Sequence, residues 1–424
     1  MPDLWPRGGL WRHGDFVRLW AAQTVSQFGS QVSGIALPLV AVLTLESSAF
    51  SVAMLGAVEM LPFLLIALPA GVWVDRLPRR PILIAGDLGR AVALGSIPLA
   101  WAFDVLTIWQ LYVVGFVVGV FTVFFDVAYQ SFLPSLVSRS QLVEGNSKLE
   151  VSRSAAQIGG PGLGGVLVGA ITAPYAIVAD AVSFVWSGLL VTGIRGREER
   201  SAPTETPNMK RELIEGLRYI LGDRRWRAIS LYVSTVNFCW AAAFSIFLVY
   251  AVRELHLSPG KIGLIFALGN LGSLVGAVLS GRVARRLGIG RTIVLSGALS
   301  GFASLLVPLA PKDNPIPFLV ASQVGVAAGI VLYNVTAISL MQALTPPRLL
   351  WRMNASRRWI VWGTIPLGSL AGGVLASTVG LRETLFAGAI AASLCFLFLL
   401  AEPLRTIKQL PDPELPLVEA LDYA

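Results

Sequence analysis

The chain has 424 residues, of which 55% are hydrophobic and only 14% charged, with a formal net charge of +8. A soluble domain carries about a quarter charged residues. A chain this apolar, with a mean hydropathy of +0.70, cannot cover a water-facing surface, so a soluble enzyme or binding module is excluded and lipid is the expected solvent.

Apolar runs close to the roughly 20 residues that cross a bilayer recur from end to end. They fall at 16–44, 50–74, 81–103, 108–132, 147–172, 174–194, 227–251, 259–282, 291–310, 316–341, 355–379 and 384–402. The start, MPDLWPRGGLWRHGD, has no apolar core, so no cleavable signal peptide is expected. The first span carries Gln23, Gln27 and Gln31 at four-residue spacing, a polar stripe along one helix face. The second holds Glu59 and closes on Gly71-Val-Trp-Val-Asp75-Arg76-Leu-Pro78-Arg79-Arg80. The third holds Asp87 and Arg90, the fourth Asp126 and Tyr129, the fifth Gly160-Pro161-x-x-Gly164-Gly165, and the sixth Asp180. A polar, proline-containing stretch then opens the segment 195–226, which continues as KRELIEGLRYILGDRRW with Leu213, Leu217 and Ile220 on one face. That pattern predicts an amphipathic helix lying along the membrane interface. The seventh span offers Asn237, Trp240 and Phe244, and the tenth Tyr333 and Asn334. Cys239 and Cys395 fall inside spans, where a buried structural role is expected, and the residues after Pro403 form an acidic tail.

Twelve spans put both termini on one side. Of the 33 Lys and Arg, 28 sit at the termini, in the loops after even-numbered spans or at the span ends beside them, Arg18, Lys148, Arg153, Arg227, Arg282, Arg291, Arg357 and Arg358 being at such ends. Four sit in the opposite loops, and Arg90 is inside a span. The positive-inside rule makes the richer side, with both termini, cytoplasmic. The basic charge therefore reports topology, and nucleic acid is not an expected partner.

The two halves repeat. Gly71…Asp75-Arg76 and Gly281…Arg285-Arg286 are 210 positions apart. At an offset of 208, Val123-Phe-Phe-Asp-Val answers Val331-Leu-Tyr-Asn-Val, Asn146 answers Asn354, and Gly160, Gly164, Gly165 answer Gly368, Gly372, Gly373. The expected fold is thus all-α: twelve transmembrane helices in two pseudo-symmetric six-helix bundles. The bundles are residues 1–194 and 227–402, joined by a linker over 195–226, with a tail over 403–424. Duplicated halves of this kind carry the substrate path at their interface near mid-membrane.

The segment after Gly71 resembles the loop signature of the major facilitator superfamily, G-x-x-x-D-R-x-G-R-R/K, with Pro78 in place of the second glycine. The run from Gly160 resembles the G-P-x-x-G-G core of that superfamily's antiporters, with Ala156 at an upstream position usually held by glycine. The order Phe125-Asp126, Leu133-Pro134, Asn146, Gly160-Pro161, Asp180-Ala181 and Glu215-Gly216 is similar to the branch that includes enterobactin and macrolide exporters. The resemblance implies proton-driven export of amphipathic small molecules such as drugs or siderophores by alternating access. It also implies a monomer in the cytoplasmic membrane, with a pathway lined by the first, fourth, seventh and tenth spans. An importer or uniporter for a metabolite and a lysolipid flippase are the alternatives.

On this reading Gln23, Gln27, Gln31, Tyr129, Asn237, Trp240, Phe244, Tyr333 and Asn334 are candidate substrate contacts. Gly71 allows close helix approach, while Asp75, Arg76 and Arg80 belong to a gate. Asp87, Arg90 and Asp126 lie at similar depth and either hold the first half together or relay to Asp75. Glu59 lies near mid-depth with no basic residue in reach, as suits a group that carries a proton; Asp180 is the second such candidate, expected nearer the outer face and in reach of water. Gly160, Pro161, Gly164 and Gly165 are the expected hinge, because proline removes a helix hydrogen bond and glycine permits close packing. No phosphate-binding Gly-Lys-Ser/Thr loop or His-Glu metal pair occurs, so neither an enzyme nor a metal or cofactor is expected, and the proton gradient is the energy source.

Overall fold

A computed structural model describes residues 9–138, 141–195, 209–345, 347–400 and 404–407. Every long regular element among them is a helix. In chain order these are α1 (Gly14–Leu39, prolonged by a π-helical turn Val40–Thr44), α2 (Ala49–Leu65), α3 (Ala67–Arg76), α4 (Arg79–Ala102), α5 (Ile108–Leu136), α6 (Leu142–Ile171) and α7 (Ala173–Thr192). They continue as α8 (Met209–Gly222), α9 (Arg224–Arg253), α10 (Pro259–Leu287), α11 (Ile289–Ser304), α12 (Leu306–Leu309), α13 (Ile316–Leu344), α14 (Pro347–Thr378) and α15 (Leu381–Leu394). Short 3-10 turns follow α15 at Cys395–Leu400 and Leu404–Thr406. The first part of the expected linker and most of the expected tail lie outside the described residues.

These helices are inside out relative to those of a soluble protein. On α4, Asp87 and Arg90 are 0% and 5% exposed, whereas Leu88, Val92 and Leu99 are 44%, 76% and 63% exposed. On α7, Asp180, Ser183 and Ser187 are buried while Val182, Trp186 and Leu189 face outward. Only an apolar solvent rewards that pattern, because a bare polar group in hydrocarbon goes unsatisfied. Ten described helical segments are long and apolar enough to cross a bilayer. The other two expected spans are 50–74 and 355–379. The first is divided at Ile66, which departs from helical geometry with φ −113°. Pro69 has no N–H for the Leu65 carbonyl, and its ring crowds that carbonyl, while Ile66 N and Ala70 N still donate across the break, at 2.7 and 2.8 Å. The second lies within α14, whose first turns carry Arg348, Arg352, Arg357 and Arg358.

By packing, the chain divides into two units. Unit 1 comprises Met1–Ser47, Val58–Thr206 and Ser258–Leu264; unit 2 comprises Ser48–Ala57, Pro207–Leu257 and Ile265–Ala424. In unit 1, α1 packs on α6 and α7, and α4 packs on α5 and α7. In unit 2, α9 packs on α14 and α15, and α11 packs on α13 and α15. These are the same four contacts under the repeat.

The glycines repeat as well. A Cβ on Gly164 would lie 3.1 Å from Val32 Cα of α1, and one on Gly372 2.7 Å from Ala242 Cα of α9. A Cβ on Gly165 would lie 2.5 Å from the Pro259 carbonyl, within unit 1, and one on Gly373 2.7 Å from Ala53 Cβ, within unit 2. Each pair of neighbours again differs by about 210 positions, so the small residues are kept because backbones touch there.

Backbone conformation follows the duplication too. Glu46 and His256, 210 apart, both adopt positive φ, at 47° and 50°. Thr172 and Gly380, 208 apart, do so at 76° and 111°. Thr172 has ψ 159°, a conformation natural to glycine and strained for a β-branched residue.

The helix expected in the linker forms as α8, packing on α9 and α14. Its Ile220 is 1% exposed in a core with Trp226, Ile229, Met353 and Leu404. That residue is therefore spent on protein packing rather than on lipid; the side chain of Leu213 lies outside the described residues. Asp223 then caps α9, accepting from Arg225 N at 2.7 Å and pairing with its guanidinium at 2.8 Å. Partial burial would push the Asp223 carboxyl up, but the Arg225 hydrogen bonds prevail and hold it below the usual carboxylate range.

The strained turn and the backbone contacts are both testable by thermal unfolding of the purified protein. Thr172→Gly relieves strain and raises stability by about 1 kcal/mol, whereas Gly380→Thr lowers it by at least as much. Gly372→Val forces α14 off α9 and costs about 1–3 kcal/mol, where Val→Ala at lipid-facing Val92 leaves the midpoint within a degree or so.

Candidate functional site: two cavities and a buried charge cluster

In unit 1, α4 presents Asp87 and Arg90 three residues apart, hence on one face. Arg90 Nη2 donates to Asp87 Oδ1 at 2.7 Å, and Arg90 Nε to the Gly86 carbonyl at 3.1 Å. Ser187 of α7 donates to the other Asp87 oxygen at 2.7 Å. The Arg90 guanidinium lies between two rings, 4.2 Å from the centroid of Phe125 and 4.1 Å from that of Phe184. A buried charge costs little only when paired, hydrogen-bonded or held against π faces, and Arg90 has all three.

Asp180 belongs to the same cluster. It is 1% exposed, and Ser183 Oγ donates to its carboxylate at 3.1 Å. The carboxylate points at α1, where a Cβ on Gly29 would stand 2.5 Å from Asp180 Oδ1. The expectation of a water-exposed Asp180 is therefore corrected: it lies eight residues into α7, on the face turned to α1 and α4. Glu59 is different. It is half-buried, and its carboxylate has no ion pair or hydrogen bond among the described residues. Its backbone carbonyl lies against α5, 2.6 Å from where a Cβ on Gly119 would be.

A cavity of about 800 Å3 in unit 1 is lined from α1, α4, α5 and α6. Gln23, Gln27 and Gln31 all reach it, with Tyr129, Asp126 and Arg90. Gln23 Nε2 is buried there without a hydrogen-bond partner. Asp126 is exposed to this cavity and acts on Arg90 electrostatically, so Arg90 is where the buried cluster meets the open space.

Unit 2 has its own cavity, of about 460 Å3, lined from α9, α11, α13, α14 and α15. Asn237, Trp240, Phe244, Tyr333 and Asn334 are all on its wall. Trp240 and Phe244 stack with centroids 4.7 Å apart and planes 15° apart. Tyr232 and Tyr333 meet at 4.9 Å. Its size and aromatic lining fall within the range of small-molecule sites. Glu59 lines neither cavity.

The remaining candidates are structural in their contacts. Arg80 donates to the Val191 carbonyl at 3.2 Å and to that of Thr192, closing the C-terminus of α7 with a cation where the helix dipole favours one. Its neighbour Arg79 donates to Ser131 of α5 at 3.0 Å. Arg76 ends α3 and is exposed; the Asp75 side chain lies outside the described residues. No described atom comes within 4 Å of a Cβ built at Gly71. Gly160 and Gly164 press on Gln31 and Val32 of α1, Gly165 presses on the start of α10, and Pro161 is buried within α6.

Arg357 was missed as a site residue. It reads as a topology arginine beside Arg358, yet it lies eleven residues into α14 and lines the unit 2 cavity. Its place inside the expected span 355–379, where a charge is costly, is the signal in the sequence.

The family model described as "Transmembrane secretion effector" (MFS_3) matches residues 10–419. The chain is 26% identical over 382 residues to "Multidrug efflux pump Tap" of Mycobacterium tuberculosis strain H37Rv, covering 87% of this chain and 88% of that one. It is 22% identical over 373 residues to "Macrolide efflux protein A" of Streptococcus pyogenes, covering 87% and 91%. Among solved structures, a bacterial homologue of the iron transporter ferroportin in an inward-facing state has a TM-score of 0.72 at 18% identity, covering 93% of this chain and 100% of that one. The nucleoside transporter NupG has a TM-score of 0.71 at 11% identity, covering 91% and 98%. These two likenesses concern the fold alone. The inside-out helices, the duplicated packing and a family match over nearly the whole length agree: this chain belongs to the transmembrane secretion effector family, membrane transporters of the major facilitator superfamily.

Proposed function

We propose that this transporter is a proton-coupled exporter of amphipathic small molecules, working as a monomer in the cytoplasmic membrane by alternating access. On this reading twelve spans are arranged as two six-helix halves, 1–194 and 227–402. The linker 195–226, the tail 403–424 and both termini are cytoplasmic, as the distribution of Lys and Arg supports. The observation that carries the reading is the aromatic cavity of about 460 Å3 in unit 2, stacked on one side by Trp240 and Phe244. Rings of that kind hold apolar bodies, and Asn237 and Asn334 beside them orient a polar group. The relatives' names, a multidrug pump and a macrolide efflux protein, support export rather than uptake.

Coupling is assigned to Glu59. A carboxylate in a span with no counter-ion can change charge without breaking a structural pair. Asp87 and Asp180 are instead engaged, by Arg90 and Ser187 and by Ser183 respectively. Their proposed role is to hold α1, α4 and α7 together as one moving body. The unit 1 glutamines, with Tyr129 and Asp126, supply a polar surface to the path. Protonation at Glu59 on one side and release on the other then sets the direction in which the loaded cavity turns.

Glu59→Gln is expected to insert and fold normally, yet to lose proton-driven efflux from cells by at least tenfold; normal efflux by that variant would remove Glu59 from the mechanism. Asp87→Asn is expected to act in the opposite manner. It leaves Arg90 buried without its carboxylate and lowers stability by about 3–5 kcal/mol, read as a fall in thermal midpoint and membrane yield.

A further inference from the structure

We infer that the unit 2 cavity is an anion-selective site, taking an aromatic body with a sulfonate or carboxylate held at Arg357. The inference rests on the transport reading and names the substrate class of that site. Arg357 is the one charged residue on the described wall of this cavity. No carboxylate pairs with it among the described residues. The unit 1 cavity is balanced by contrast, with Asp126 and Glu150 alongside Arg90 and Arg153.

A second observation points the same way. Tyr333, on the same wall, is 6% exposed, and its hydroxyl is buried without a hydrogen-bond partner. It lies within electrostatic reach of Arg357. A buried donor left unpaired is costly, and an acceptor oxygen entering beside Arg357 satisfies it. A guanidinium presents a planar fork of donors that matches a carboxylate or sulfonate edge. A cationic ligand would meet a like charge here, in a setting of low dielectric. The stacked Trp240 and Phe244, with Trp362 on the same wall, provide flat faces for the ring system. Asn237, Asn334 and Gln323 donate to the remaining oxygens.

The test is equilibrium dialysis of the purified full-length protein in lipid nanodiscs, with empty nanodiscs as the blank, against three probes of one shape. These are 2-naphthalenesulfonate, neutral 2-naphthalenesulfonamide and cationic 2-naphthylmethylammonium. The sulfonate is expected to bind about tenfold more tightly than either of the others, the ratio a charge-assisted hydrogen bond supports. Arg357→Gln is expected to remove that preference, weakening the sulfonate far more than the sulfonamide, and Arg357→Lys to restore most of it. Tyr333→Phe keeps the ring and removes only the hydroxyl; it is expected to weaken the sulfonate about threefold, and it decides the matter if Arg357→Gln cannot be purified. Equal or tighter binding of the ammonium probe, absence of binding by all three, or an unchanged sulfonate affinity in Arg357→Gln overturns the inference. Efflux of a neutral or cationic drug by cells, with no sulfonate preference in dialysis, sinks the anion site alone. Sulfonate binding without any efflux leaves the site standing and sinks the export reading.

Discussion

Hydrocarbon outside the helices leaves no place for a bare charge, and this single constraint orders unit 1. α4 and α7 each carry ionisable residues, and each turns them to the same internal line. Arg90 is the centre of that line, held by Asp87, by the Gly86 carbonyl and by the faces of Phe125 and Phe184. Ser187 and Ser183 satisfy the carboxylate oxygens that Arg90 does not reach. The result joins α4, α5 and α7 by directional contacts, and the small surface of Gly29 lets α1 close over Asp180.

At the matching positions unit 2 meets the same constraint without charge. At the positions matching Asp87 and Arg90 it has Gly297 and Ser300, both buried, and Ser300 bonds back to its own helix at 3.1 Å. Packing there relies on small residues: Gly301 and Gly329 lie against the backbones of neighbouring helices. With no buried ion-pair cluster to house, the unit 2 cavity is lined by rings and amides, with Arg357 as the one charge on its described wall. Under the proposed function that difference divides the labour between the duplicated halves, with proton coupling at Glu59 in the first and ligand selection at the aromatic wall of the second.

Much of this was legible in the sequence. Apolar runs located the long helices, and the constant offset of matching glycines pointed to the duplication; which helix each glycine meets came only from the structure, where Gly164 and Gly372 lie against the matching helices α1 and α9. Four-residue spacing brought Gln23, Gln27 and Gln31 to one cavity. Other features depend on contacts distant in the chain and were not legible. Asp180 looked wet because depth along a helix says nothing of which neighbour covers it. The break at Ile66 was written in Pro69 but hidden by an unbroken apolar run. Arg357 was masked by its neighbours, since one arginine among several reads as a topology signal whatever it faces.

If an inward proton flow drives an amphipathic molecule out of the cell, everted membrane vesicles report it most directly, because their interior corresponds to the cell exterior. The vesicles are given an acid-inside gradient, with 2-naphthalenesulfonate or labelled erythromycin outside. Proton-coupled export predicts accumulation of at least one probe against its concentration gradient, abolished at once by a protonophore. Accumulation of neither probe, or accumulation indifferent to the protonophore, would contradict it.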